Sequence, residues 1–390
     1  VGDLLADKNP DSLAKTAATS DRLDLAAIVG QSVNADFAAL RAATNAPGKG
    51  DALPAFNISD LTKTGADKSP SLTPGDHNET LQVEGKTRQF DVHIPAGYDG
   101  KSKLPVMYML PGLTETKNMM EQYSQMNKVA DQKGFAVVYL QALPQSFPGS
   151  FGLFKEYSWN LDHGTLTDKD PGYDDLNYFK AVKNSLEGSA TIDPHRQYLA
   201  GFSEGGEAAQ YIAYAMPHTF AGVATVHSTL LDSDPRPRAN DPTAMISVLG
   251  DDDNILPLKG GHGWFQGGSL LKGYMLITVP RVGESQPLAQ APAWAAADGD
   301  HIIAVNNNDD AEITNYSGGS APVEQIVRHS RFGWLGSQGG QHAWDGGDDG
   351  WKAVPDPDLI QDISKLDRHS DPAFDTSRTV ADFLLQYSKP

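Results

Sequence analysis

From Glu79 onward, short unbroken apolar runs alternate with segments whose apolar residues recur at helical spacing. Leu104 to Leu110 and Phe135 to Leu140 are apolar along their whole length, the pattern of strands buried on both faces. Gly222 to His227 and Met245 to Leu249 read the same way, and Gln197 to Ala200 is a strand that runs straight into Gly201. Between them the periodicity predicts helices over Lys117–Lys133, Tyr178–Ser185 and Glu204–Ala215. A last helix over Thr379–Gln386 places Val380, Phe383, Leu384 and Tyr387 on one face. Thr80–Val83 and Gln89–Ile94 flank Gly85 as a leading hairpin. Strands alternating with helices in this way predict an α/β fold, a mostly parallel, doubly wound sheet with helices on both faces. Ligands in such sheets bind beyond the carboxyl ends of the strands.

The first 75 residues follow another pattern. Leu13 to Ala43 is rich in Ala, Leu and Asp behind a capping Ser12, and Pro47 to Pro74 is a loop rich in Pro, Gly, Lys and Asp. Residues 1–75 are therefore expected to form a helical arm with a linker, which could also carry a homodimer contact. Residues 76–390 form the main domain, with insertions at about 259–297 and 347–375.

Composition narrows the partners. The chain has 31 Lys and Arg against 50 Asp and Glu, a formal charge of −19, which disfavours nucleic acid and anionic membrane surfaces. No apolar run approaches the ~18 residues of a bilayer span. With no cysteine there is no disulfide, thiolate nucleophile or Cys-ligated zinc. The chain starts at Val1, from which a removed leader and a secreted or periplasmic location are expected.

Gly201-Phe202-Ser203-Glu204-Gly205 fits G-x-S-x-G between a predicted strand and a predicted helix, the setting of a nucleophile elbow that lifts Ser203 above the sheet. An elbow serine needs an acid and then a histidine further along the chain. Asp251, Asp252 and Asp253 follow the Met245–Leu249 strand, and any of them could turn inward. His342 stands in the Gly-rich stretch Gly339–Gly347, but His262 lies in a similar loop and His227 ends the strand after the elbow helix.

The region from about 80 to 345, with the final helix, resembles the extracellular polyhydroxybutyrate depolymerase and feruloyl esterase group of α/β-hydrolases. The resemblance rests on the leading hairpin with Leu110-Pro111-Gly112, on Trp159-Asn160, and on Asp174-Asp175. It rests further on Ile192-Asp193-Pro194-His195-Arg196 leading to Gly201-Phe202-Ser203-Glu204-Gly205-Gly206, and on Gln341-His342-Ala343-Trp344-Asp345-Gly346-Gly347. It implies an α/β-hydrolase fold. It also implies Asp253, ahead of Leu256-Pro257, as the acid and His342 as the base. The family usually carries His-Gly-Cys at Pro111-Gly112-Leu113 and Cys-Trp-Asn at Ser158-Trp159-Asn160, so both halves of a bridge are missing together. Leu113 and Ser158 are then expected to hold those loops by packing. Glu204 is larger and more acidic than the usual residue after the nucleophile.

These assignments lead to an expected serine esterase with Ser203, His342 and Asp253 as triad and the backbone N–H groups of Leu113 and Glu204 as oxyanion hole. No cofactor is required. Trp159, His227 and Trp344 are expected to contact a polyester or feruloyl-type substrate, in a groove to which Trp264, Phe265, Trp334 and Trp351 could add. An acyltransferase, a polyamide or polyaspartate hydrolase with the same triad, and a non-catalytic binding module are the alternatives. The acidic stretches Asn306–Asp310 and Asp345–Gly350 offer oxygen ligands but match no spaced calcium loop, and no His-Glu-x-x-His zinc motif occurs.

Overall fold

Ten strands hydrogen-bond into one sheet in the order β1-β2-β4-β3-β7-β8-β9-β14-β13-β12. The computed structural model describes residues 72–146, 155–161, 172–189, 191–230, 237–239, 241–253, 255–260, 264–267, 275–278, 286–333, 336–347 and 371–389. The predicted N-terminal arm, His262, Trp334, Trp351 and most of the 347–375 insertion lie outside these residues.

The strands are β1 (Gly75–Val83), β2 (Lys86–Ile94), β3 (Leu104–Leu110), β4 (Ala136–Leu140), β5 (Leu143–Ser146), β6 (Lys155–Ser158), β7 (Ile192–Phe202), β8 (Gly222–Val226) and β9 (Ala244–Gly250). They continue with β10 (Trp264–Gly267), β11 (Met275–Thr278), β12 (His301–Asn307), β13 (Ala311–Ser317), β14 (Val323–Arg328), β15 (Arg331–Gly333) and β16 (Gly336–Gln338). The helices are α1 (Lys117–Ser124), α2 (Met126–Lys133), α3 (Asp175–Gly188), α4 (Glu204–Ala215), α5 (Gln290–Asp298) and α6 (Thr376–Leu384).

The centre of the sheet is parallel: β4, β3, β7, β8, β9 and β14 run the same way. The β1–β2 hairpin joins one side antiparallel through β4, and β13 and β12 extend the other side antiparallel. β3, β4, β8 and β9 are buried at every residue, as their unbroken apolar runs require. Two hydrophobic clusters cover the two faces. One contains Tyr108, Leu199, Phe179, Ile212 and Trp294. The other contains Met107, Met109, Phe202, Ile246, Trp344 and Leu384.

The helix predicted over Lys117–Lys133 is two helices. Thr116 caps α1 by accepting the Met119 N–H, and the chain breaks at Gln125, whose φ of 54° is left-handed. Met119, Met120 and Met126 of these helices are buried in the core. Asp174 and Asp375 cap α3 and α6 through their side chains. The β12–β14 strands are an addition to the predicted order. β12 forms the edge and exposes Ile302, Ile303 and Val305.

Candidate active site

Ser203 sits between β7 and α4 with φ 53° and ψ −123°, a conformation that L-residues occupy only where the surroundings force it. The force comes from the close crossing of strand and helix. A Cβ on Gly201 would fall 2.0 Å from the Gly205 carbonyl oxygen, and one on Gly205 would fall 2.0 Å from that of Leu110. Side chains at either place would push α4 off the sheet. The Ser203 N–H is tied to the Val226 carbonyl and its carbonyl to the Gly206 N–H, both at 2.9 Å. The residue is half-buried while Gly201, Phe202, Glu204 and Gly205 are buried.

Asp253 ends the turn after β9. Its Oδ1 accepts the N–H groups of Ile255 (2.9 Å) and Leu256 (2.7 Å), and its Oδ2 accepts Nδ1 of His342 at 2.8 Å. Burial by itself would raise the carboxyl pKa. The imidazole of His342, together with hydrogen bonds from His227 and His342, overcomes this and holds the group well below the usual carboxylate range. An ionised carboxylate only accepts, so Nδ1 of His342 carries its proton inward and Nε2 keeps its lone pair. The three adjacent acids are thereby separated. Asp251 and Asp252 are exposed, and Asp251 instead binds the His329 ring and the Ser330 N–H.

The His342 ring packs on Phe202, the residue before Ser203, with centroids 5.0 Å apart. Its loop is anchored through Asp345 by two groups that the sequence did not single out, Arg328 and Asp371. Arg328, at the end of β14, is buried and bonds the carboxylates of Asp371 (2.7 Å) and Asp345 (3.4 Å). Asp345 in turn accepts the Asp371 N–H. An arginine ending a strand opposite a Trp-Asp-Gly stretch is the one signal available, and pairing them requires the fold. Asp345 is thus an ion-pair partner rather than a cation ligand, and Asn308, from the other acidic stretch, closes the β12–β13 turn by accepting the Asp310 and Ala311 N–H groups.

The loop after β3 also approaches Ser203. A Cβ on Gly112 would be 3.2 Å from Ser203 Cβ, so this backbone runs against the elbow. The Gly112 N–H is held by Glu115 Oε2 (2.9 Å), which also accepts the Tyr123 hydroxyl. Thr114, with φ 69°, donates its N–H to the Tyr157 carbonyl at 2.7 Å. Ser158 does not hold its loop by packing as expected: its hydroxyl donates to Glu204 Oε1 at 2.6 Å. A hydrogen bond to the elbow stands where the family's covalent bridge is missing.

The three residues expected to contact substrate are all buried. Trp159 is 1% exposed and its indole N–H is taken by the Pro111 carbonyl. Trp344 is 4% exposed and donates to Ser377. Both are tethers for the loops around the elbow, because a buried indole must satisfy its N–H and here backbone or hydroxyl does so. His227 is 1% exposed, and its Nδ1 binds the same Asp253 Oδ2 as His342, at 2.8 Å. Its place is inside the polar cluster. His227, Asp253 and His342 bring ligand-type atoms within 4.8 Å of one another. Both Nδ1 protons are already committed to Asp253, so a metal would have to displace them.

The chain has relatives among known proteins. The profile of the family described as "Putative esterase" matches residues 82–330, a span that includes Ser203 and Asp253 and stops short of His342. The chain is 32% identical to "Putative esterase NocK" of Nocardia uniformis subsp. tsuyamanensis over 46% of its own length and 48% of that protein. It is 25% identical to feruloyl esterase C of Emericella nidulans over 50% of its length and 64% of that protein. The chain thus spans less than two thirds of the length of either of these relatives. Among solved structures, acetyl xylan esterase from Aspergillus awamori superposes with a TM-score of 0.44 at 13% identity, covering 65% of this chain and 92% of that one. A family match over more than half the residues, on a sheet that carries a serine elbow, means that this chain belongs to the esterase family.

Proposed function

We propose that the chain is a serine esterase that hydrolyses carboxylic esters through an acyl-enzyme. The observation that carries this reading is the ionised, buried Asp253 bonded to Nδ1 of His342, with that ring packed beside the strained Ser203 elbow. Ser203 Oγ bonds to the ester carbonyl carbon and gives its proton to Nε2 of His342. Negative charge on the carbonyl oxygen is met by the N–H groups of Leu113 and Glu204. The carbon–alkoxy bond breaks, the proton passes from His342 to the leaving alcohol, and water repeats the sequence to release the acid. Asp253 holds the tautomer and stabilises the imidazolium.

For the substrate we propose a feruloyl-type or polyester acyl group. The similarity to proteins named feruloyl esterases supports the former. With Trp159 and Trp344 buried, the acyl group is recognised by other residues. The test is turnover of p-nitrophenyl butyrate and covalent labelling by a fluorophosphonate, followed by methyl ferulate and a polyhydroxybutyrate emulsion in parallel. Ser203→Ala should remove labelling and cut turnover by roughly 10⁶. No adduct and no turnover in the unmodified chain would leave a binding module instead.

A further inference from the structure

The catalytic scheme above uses the Glu204 backbone and leaves its side chain without a task. That side chain is a carboxyl group 3% exposed, on the residue next to the proposed nucleophile. Its Oε1 accepts the Ser158 hydroxyl at 2.6 Å, and its Oε2 accepts the Trp159 N–H at 3.4 Å. Ser158 ends β6 and Trp159 opens the loop after it, and Trp159 also grips the Pro111 carbonyl at the start of the proposed oxyanion loop. Glu204 therefore joins the elbow to the segment that is bonded to Pro111 and Thr114, on either side of Gly112 and Leu113.

Among the described residues, no cation contributes to its electrostatics. The charged residue that faces it is Asp175 at the start of α3, which is paired with Arg88 of β2. Glu115, on the loop after β3, turns to the Gly112 N–H and the Tyr123 hydroxyl, and Glu207 on the same helix is only half-buried.

We infer that the Glu204 side chain is a positioning acid that supports turnover only while it is uncharged. In that state it ties Ser158 and Trp159 to the elbow without placing charge at the oxyanion hole. Once ionised, its carboxylate stands at the first turn of α4. There it repels the negative charge developing on the substrate and competes with it for the positive end of the helix. Burial first, with a small contribution from Asp175, raises its pKa to about 8 against the opposing hydrogen bonds from Ser158 and Trp159. The switch then lies just above neutral pH.

The inference rests on Ser203 being the nucleophile, and the experiment separates the two. The rate of fluorophosphonate labelling and kcat/KM for a soluble ester are measured from pH 6 to 10 on the unmodified chain, Glu204→Gln, Ser158→Ala and Ser203→Ala. Absence of labelling in the unmodified chain at every pH overturns the nucleophile assignment itself. With labelling present, the unmodified chain should lose activity about tenfold per pH unit above the limb near pH 8. Glu204→Gln, which keeps the acceptor and cannot ionise, should lose that limb, whatever its rate at pH 7. Ser158→Ala removes a bond that favours the charged form, so its limb should move up, by about half a unit to one unit. This second variant decides the matter even if Glu204→Gln fails to fold. An alkaline limb unchanged in both variants, or absent from the unmodified chain, overturns the inference.

Discussion

His227 and His342 share one oxygen: each donates Nδ1–H to Oδ2 of Asp253 at 2.8 Å, and the two rings meet edge to face with centroids 5.6 Å apart. One carboxylate thus sets the tautomer of two imidazoles. His227 reaches it because its φ of 46° turns the chain inward at the end of β8, where its N–H is held by the Val248 carbonyl.

Replacing Asp253 with Asn should cost about 10⁴ in kcat. The amide cannot accept from two N–H donors on one oxygen without turning its NH₂ toward a third group. Asp251→Asn, altering only the exposed contacts to His329 and Ser330, should leave kcat within about twofold. His227→Ala should cost less than Asp253→Asn, and the double variant should be no slower than Asp253→Asn alone, since both act through the same oxygen. Steady-state kinetics on the four variants checks this. Additive losses would mean that His227 has a separate task.

The elbow backbone yields a prediction of opposite sign for stability and activity. Ser203 pays for its φ of 53° and ψ of −123° with strain, on the order of 1–3 kcal/mol for such a conformation. Ser203→Gly relieves it and should raise the free energy of unfolding by about 1 kcal/mol, after the offset from the glycine's greater unfolded-state entropy, while abolishing turnover. Ser203→Ala removes the same hydroxyl and keeps the strain, so only the glycine variant should melt higher.

The anchor under the His342 loop is a buried charge cluster, and buried ion pairs punish the removal of one partner. Arg328→Met leaves Asp345 and Asp371 without their guanidinium. This should destabilise the fold by roughly 3–5 kcal/mol and lower kcat more than it raises KM, because the loop carries the proposed base. Chemical denaturation and kinetics under native conditions separate the two effects. A variant of ordinary stability would mean that the loop is held by Trp344 alone.

Much of this architecture was legible because each signal is local. Unbroken apolar runs could only be inner strands, and Gly201 and Gly205 could only mark a crossing too tight for a Cβ. The rest depended on contacts distant in sequence. Nothing at Gln125 announces the break between α1 and α2, since neither glycine nor proline stands there. The strands β12 and β13 escaped because an exposed antiparallel edge such as His301–Asn307 lacks the inner strands' apolar signature. Asp253 is chemically the twin of its two neighbours, so residue chemistry left the three open; the family resemblance pointed to Asp253, and in the fold it is the one that turns inward. Trp159 and Trp344 misled in the other direction: loop tryptophans suggest a groove, but both indoles find internal acceptors and pack beneath the surface.

Glu204 also makes a prediction about folding that is independent of catalysis. In the folded chain its carboxyl keeps a proton until about pH 8, whereas the unfolded chain loses it near the ordinary value of 4.5. Between these limits folding takes up a proton, so the unmodified chain loses stability as pH rises through the window, and the loss is complete above pH 8. Each pH unit of the window is worth about 1.4 kcal/mol, giving roughly 3–5 kcal/mol in all. Glu204→Gln has nothing to titrate and escapes this loss. The two proteins should therefore differ little at pH 4, diverge steadily toward pH 8 in favour of the glutamine variant, and keep a constant gap beyond. Urea denaturation at matched ionic strength across that range measures the gap directly. Parallel curves would show that the buried carboxyl ionises as readily in the folded chain as in the unfolded one.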